Sequence, residues 1–139
     1  MFLLDTNVIS ELRRPGRANA GVVKWADAIP ASQFYLSAIS ILEIERGALQ
    51  IARKDKAQGK VLRSWIDDQI LARFEGRILA VDSAVALRCA RLHIPDPRSE
   101  RDALIAATAL VHGMTVVTRN AGDFAATGVA LLNPWAASG

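Results

Sequence analysis

Short apolar runs alternate with amphipathic stretches along this chain, and that alternation predicts most of its architecture. Phe2 to Leu4 reads as a buried strand, followed by a short helix that runs toward Arg14 and stops near Pro15. A second helix carries Val22, Val23 and Trp25 and ends before Pro30, because the residue preceding a proline resists the helical conformation. Phe34 to Leu36 is the next strand, and Ser37 caps a helix through Ile41, Ile44 and Leu49. From about Ala57 to Phe74, apolar residues recur at helical spacing until Gly76. Ile78 to Val81 is a third strand, Ser83 opens a helix to about Leu92, and Ile94 to Arg101 reads as an exposed loop. DALIAATALVHG is a strongly apolar helix with Asp102 in its first turn and Gly113 at its end. Thr115 to Val117 and Val129 to Leu132 are the last strands, separated by the loop TRNAGDF. Strands alternating with helices predict an α/β domain of three layers, with a mainly parallel central sheet flanked by helices.

Composition narrows the picture. A chain of 139 residues with 51% hydrophobic residues is expected to form one domain over residues 1–139. No repeat, linker or low-complexity tract divides it. The start has no signal-peptide pattern, and the most apolar segment, Ala103 to Val117, is too short to span a bilayer, so a cytoplasmic protein without a membrane partner is expected. Cys89 is the only cysteine, which excludes an intrachain disulfide and a cysteine zinc site. The net charge is a modest +3, but Arg far outnumbers Lys and clusters at Arg13, Arg14 and Arg17 and at Arg98 and Arg101. Arginine pairs bidentately with phosphate, which suits a polyanionic partner.

Why does the first strand stop on Asp5? A helix cap is one reason. The other appears once the acidic positions are laid on the predicted sheet. Asp5 follows the first strand, Glu43 lies about one turn into the helix after the second, and Asn120 and Asp123 follow the fourth. Strand C-termini of a parallel sheet share one edge, so these residues converge there. Asp102 joins them if its helix starts at the same edge. Carboxylates so placed repel one another unless a cation shares the site. Helix N-termini and Arg119 offer part of that compensation, and a hard divalent cation such as Mg²⁺, or Mn²⁺ in its place, offers more. On this repulsion, removing one carboxylate is expected to leave stability unchanged or raised. Glu45 points to another helix face, Glu100 is a solvated loop residue, and His93 and His112 sit at helix ends. The three tryptophans read as core or interface anchors.

The segments LLDTNVISEL, YLSAISILEIERG, DALIAATALVHGMTVVTRNAGDF and LLNPW together resemble the PIN-domain proteins of the VapC type, close to the FitB-like branch. The resemblance covers nearly the whole chain and keeps the motifs in order. It implies a PIN-like fold and a metal-dependent endoribonuclease, the toxin of a type II toxin–antitoxin pair. Residue by residue, Asp5, Glu43 and Asp102 match the family's acidic metal-binding and catalytic positions. The family often has an acid directly after the Thr-Arg dipeptide. This chain has Asn120 there, so either Asn120 or Asp123 fills the fourth position. Thr6, Asn7, Thr118 and Asn120 are the supporting polar groups, and Arg119 is a candidate contact to RNA phosphate. Apolar residues along the helices of Val22 to Trp25 and Val61 to Phe74 exceed what one small sheet face covers, so a homodimer is expected, and the resemblance implies an antitoxin that inserts a basic side chain near the acidic pocket.

Two enzyme alternatives fit less well. A dehalogenase-like, metal-dependent phosphatase needs a second Asp two positions after the first, where this chain has Asn7. A receiver domain wants a Lys after a late strand, where it has Arg119 and Asn120. A catalytically silent module that binds nucleic acid or a partner is the non-enzyme alternative.

Overall fold

The five strands pair in the order β3-β2-β1-β4-β5, all parallel, in a computed structural model that describes residues 1–136. They are β1 (Phe2–Leu4), β2 (Phe34–Ser37), β3 (Ile78–Leu79), β4 (Thr115–Val117) and β5 (Leu131–Leu132). Seven α-helices connect them: α1 (Thr6–Leu12), α2 (Ala20–Asp27), α3 (Ala38–Lys54), α4 (Lys56–Trp65), α5 (Ser83–Leu92), α6 (Glu100–His112) and α7 (Ala121–Phe124). The chain leaves β1 toward β2 on one side and reaches β4 on the other, so strand order reverses between β1 and β4. In open parallel sheets that reversal opens a crevice beyond the strand C-termini.

Neighbouring residues of the central strands point to opposite faces, as the pleat requires. Leu4 and Val117 face a core built with Val8 and Ile9 of α1, Ile44 and Ala48 of α3 and Leu62 of α4. Leu3 and Val116 face the other core, against Ile105, Ala106 and Ala109 of α6 and Phe124 of α7. The sheet is therefore covered on both sides, giving the expected three layers. β1 is apolar throughout and β4 is apolar after Thr115, which is why they read as short apolar runs.

Helix starts follow the local chemistry. Asp5, Ser37, Asp55, Asp82 and Ser99 each accept a backbone N–H with the side chain at the N-cap of the helix they open. Gly113 ends α6 with φ of 68°, a left-handed conformation that glycine adopts without strain.

Several boundaries differ from the sequence reading: β3 stops at Leu79 rather than Val81, and β5 starts at Leu131 rather than Val129. The long helix from Ala57 to Phe74 is α-helical only to Trp65 and continues as a wider π-helical turn over Ile66–Leu71. Ile66 and Ile70 are both buried across that turn, so tertiary packing sets the register there. The loop TRNAGDF contains the short helix α7. The loop from Ile94 ends at Ser99, so Glu100 and Arg101 belong to the first turn of α6.

Helices α3 and α4 form a tight hairpin because Gly59 has no side chain. A β-carbon there would lie 2.6 Å from Ala52 Cβ and 2.8 Å from Ala52 Cα. Gly59→Ala is thus expected to destabilise the protein by about 1–3 kcal/mol despite the better helix propensity of alanine. Thermal melting checks this; an unchanged or raised Tm would show that the hairpin gives way freely.

Candidate metal centre

The crevice between β1 and β4 is built by the start of α1 and the loop after β4, which bond each other. The sheet ladder continues one residue past β1, as the Asp5 N–H donates to the Val117 carbonyl at 2.9 Å. This fixes Asp5 where the strand runs out, with its side chain fully buried. Asp5 Oδ1 accepts the Thr6 backbone N–H at 2.7 Å, and Oδ2 accepts the Thr118 hydroxyl proton at 2.8 Å. The Thr118 oxygen in turn accepts the Asn120 N–H at 3.0 Å. Asn7 lies across the same gap, its amide 3.4 Å from the Thr118 hydroxyl and its carbonyl accepting the Arg119 N–H at 3.3 Å. The DTN and TRN segments are therefore one hydrogen-bonded unit, and Asn7 is committed to holding it together.

Glu43 reaches this unit from α3. The Thr6 hydroxyl donates to Glu43 Oε1 at 2.6 Å and lies 3.0 Å from the Ser40 hydroxyl. Ser40 and Glu43 are three residues apart, so both look out from one face of the helix.

Arg101 closes the cluster from α6. Its Nε donates to Glu43 Oε2 at 2.7 Å, Nη2 to Glu43 Oε1 at 2.9 Å and Nη1 to Asp102 Oδ1 at 2.9 Å; Nη2 also pairs with Asp5 Oδ1. One guanidinium thus joins Asp5, Glu43 and Asp102, the three carboxylates from three separate elements. Burial works against the charged form of Glu43. The hydrogen bonds from Arg101 and Thr6, with the charges of Arg101 and Arg46, outweigh it and hold its pKa below the ordinary glutamate range. Burial likewise works against the Arg101 cation, but Glu43, Asp5 and Asp102 more than compensate and raise its pKa. Three carboxylates against one guanidinium leave an excess of negative charge.

Arg101 is the site residue the sequence reading missed. The sequence pattern places it in a basic cluster suited to a polyanionic partner, with Arg119 as the side chain that offers part of the compensation. Instead Arg119 lies over the Trp135 ring, 5.6 Å from its centroid. A signal for Arg101 was present. A cation in the first turn of a helix runs against the helix dipole, so an arginine beside Asp102 needs a special partner.

The two candidates for the fourth acidic position separate. Asn120 lines the groove of about 640 Å³ that also contains Thr6, Asn7, Glu43 and Arg101. Asp123 is exposed on α7, and its carboxylate makes no hydrogen bond or ion pair among the described residues. Arg13, Arg14 and Arg17 line the same groove.

A second titratable cluster braces the same helix. Cys89, His93 and Glu100 bring their ligand atoms within 4.8 Å of one another. His93 Nδ1 accepts the Arg98 N–H at 3.1 Å, so the neutral ring carries its proton on Nε2, which faces Glu100 Oε2 at 3.1 Å. A metal-bound histidine normally donates from its other nitrogen, and here that nitrogen accepts. The cluster is a hydrogen-bonded clasp on the first turn of α6. Glu100 is exposed, as expected, and also pairs with His93, and burial with the Glu100 charge pushes the Cys89 thiol pKa up.

The donor set of the main cluster fits a hard divalent cation. It consists of carboxylate oxygens with hydroxyls behind them, it already surrounds a cation, and it retains excess negative charge.

Comparison with known proteins places this geometry in a family. Residues 2–129 match the PIN domain. The chain is 43% identical to toxin FitB of Neisseria gonorrhoeae over 141 aligned positions, covering 97% of this chain and 99% of that protein. It is 36% identical to VapC ribonuclease Y4jK of Sinorhizobium fredii, covering 97% and 98%. The crystal structure of FitAcB from Neisseria gonorrhoeae superposes with a TM-score of 0.88 at 40% identity, covering 97% of this chain and 99% of that one. The crevice at the strand reversal, its carboxylates and the match over nearly the whole sequence lead to one assignment: the chain belongs to the PIN-domain family.

Proposed function

We propose that this protein is a divalent-metal-dependent endoribonuclease and the toxin of a toxin–antitoxin pair. The observation that carries the reading is the convergence of Asp5, Glu43 and Asp102 on one cation position at the strand reversal. The relatives named as a toxin and as a ribonuclease support the biological setting and the substrate.

In this reading Asp5, Glu43 and Asp102 hold Mg²⁺, with Mn²⁺ a working substitute. When bound, such an ion acidifies a water and neutralises charge on the phosphodiester. Asp5 is held rigid by Thr6 and Thr118, so its carboxylate pays little reorganisation. Glu43, oriented by Thr6, is ionised and placed to orient the attacking water. Asn120 supplies an amide oxygen on the groove wall in the fourth position. Asp123 adds charge from the exposed side of α7. Water attacks phosphorus, one P–O ester bond breaks, and the leaving sugar oxygen takes a proton. Arg13, Arg14 and Arg17 line the groove where the RNA backbone would run, while Arg119 over Trp135 offers a surface for phosphate or a base.

Incubation of a long RNA with the protein and Mg²⁺ is expected to give internal cleavage products. Products shortened only from one end would rule out the endonuclease.

The partners follow from the same surface. An antitoxin that silences an acidic groove is expected to bring a basic side chain into it. The chain itself is proposed to form a homodimer. Trp25 packs inside against Phe2 and Phe34, but Val61, Leu71, Leu42 and Leu49 remain exposed on α4, the π-helical turn and α3. Sedimentation should show a dimer; a monomer at high concentration would remove it. Among the described residues no helix is long and apolar enough to cross a membrane.

A further inference from the structure

The acidic groove contains a cation of its own, and every arm of that cation is engaged. The Arg101 fork bonds Glu43 through Nε and Nη2, Asp102 through Nη1, and Asp5 through Nη2. These are the same three carboxylates that the proposed function gives to a divalent ion. The lone pairs available to both are few. Asp5 Oδ2 is taken by Thr118, and Oδ1 already serves the Thr6 N–H, so the outward side of Oδ1 is what Arg101 uses. Both oxygens of Glu43 are bonded to the guanidinium. An ion drawing on these three groups meets Arg101 on each of them, and two cations in that space repel.

The placement of Arg101 also suits departure. It stands in the first turn of α6, where the helix N-terminus disfavours positive charge and the three carboxylates, with a long 3.4 Å contact from Nη2 to the Thr6 hydroxyl, retain it. Its side chain is 32% exposed, on a long flexible stem at the wall of the open groove. The clasp of Cys89, His93 and Glu100 holds the helix turn itself, so the side chain can swing while Asp102 stays in place.

We infer that Arg101 is the resident counter-cation of the site: it closes the acidic cluster in the metal-free protein and leaves it as a divalent ion enters. Metal uptake and release of Arg101 are one coupled equilibrium, which lowers the apparent metal affinity by the free energy of breaking the Arg101 contacts. A partner's basic side chain entering the metal-free site meets the same competitor. The inference rests on the reading of this cluster as a metal site.

The test uses the full chain after chelator treatment and dialysis. Mg²⁺ is titrated into the ¹⁵N-labelled protein while the Arg101 Nε–H resonance, assigned by its absence from Arg101→Gln, is followed. Calorimetry gives Mg²⁺ affinity for wild type, Arg101→Gln and Arg101→Lys. The resonance is expected to be protected from exchange without metal and to lose protection at the midpoint of calorimetric binding. Arg101→Gln is expected to bind Mg²⁺ about ten-fold tighter than wild type, with Arg101→Lys between them. Mg²⁺ saturation that leaves the Arg101 resonance unmoved, or weaker binding by Arg101→Gln, overturns the inference while the metal site stands. No Mg²⁺ uptake by any of the three proteins overturns the metal site and the inference with it. If Arg101→Gln does not fold, the wild-type titration decides, with the resonance assigned from Arg101→Lys.

Discussion

Asp5→Asn is expected to abolish RNA cleavage, with a loss of at least about 100-fold, and to lower the Tm of the metal-free protein by about 10 °C. The activity loss follows from the central position of Asp5. Substituting residues that merely support a metal ligand already costs 10–100-fold, and Asp5 is proposed as a ligand itself. The stability loss reverses what carboxylate repulsion alone predicts. Arg101 already relieves that repulsion, so removing the Asp5 charge leaves a partly buried guanidinium short of a partner. The asparagine amide also replaces an oxygen that accepts either the Thr6 N–H or the Thr118 hydroxyl proton. Breaking a buried, hydrogen-bonded pair costs about 3–5 kcal/mol, which in a chain of this size corresponds to the stated fall in Tm. Glu43→Gln and Asp102→Asn are expected to lose activity too, with smaller effects on stability because both side chains are partly exposed. Melting without metal and single-turnover cleavage with metal separate the two effects. An Asp5→Asn protein that cleaves at wild-type rate removes Asp5 from the site; one that melts at wild-type temperature removes the Arg101 account of its stability.

Replacing Arg13, Arg14 and Arg17 together by Ala is the second large expected effect. These three guanidiniums share the groove with Glu43 and Arg101. If each contacts one phosphate of a single strand, log–log salt dependence of binding falls by a slope of roughly 0.7 per contact, about 2 in all. Affinity at low salt drops in parallel, and cleavage of bound RNA persists because no carboxylate has changed. Arg13 also sits over the Trp65 ring at 5.8 Å, so a melting control is needed for that substitution. Binding titrations at several salt concentrations make the measurement. An unchanged slope would place the RNA elsewhere on the surface.

The sequence carried the fold because its short-range signals agree with its long-range ones. Leu3 and Leu4 sit on opposite faces of the sheet, and both faces are covered, so β1 has to be apolar throughout. The caps at Asp5 and Ser37 are local hydrogen bonds and are readable as such. The π-helical turn was not, because Ile66 and Ile70 recur at a spacing that an α-helix shares and only packing widens it. The site divides along the same line. Asp5, Glu43 and Asp102 announce themselves as acids at strand ends and helix starts. Arg101 does not, since its role depends on a side chain reaching across 96 positions of sequence to Asp5. Asn120 and Asp123 differ only in how α7 turns, which the loop composition does not reveal.

The most direct test of the central claim is cleavage of single-stranded RNA by chelator-treated protein with Mg²⁺ or Mn²⁺ added back, beside Asp5→Asn under the same conditions. The account predicts no internal cleavage in chelator, restored cleavage by wild type with either ion, and none by Asp5→Asn at any metal concentration. Full cleavage in chelator after dialysis, or restoration in Asp5→Asn equal to wild type, would contradict it.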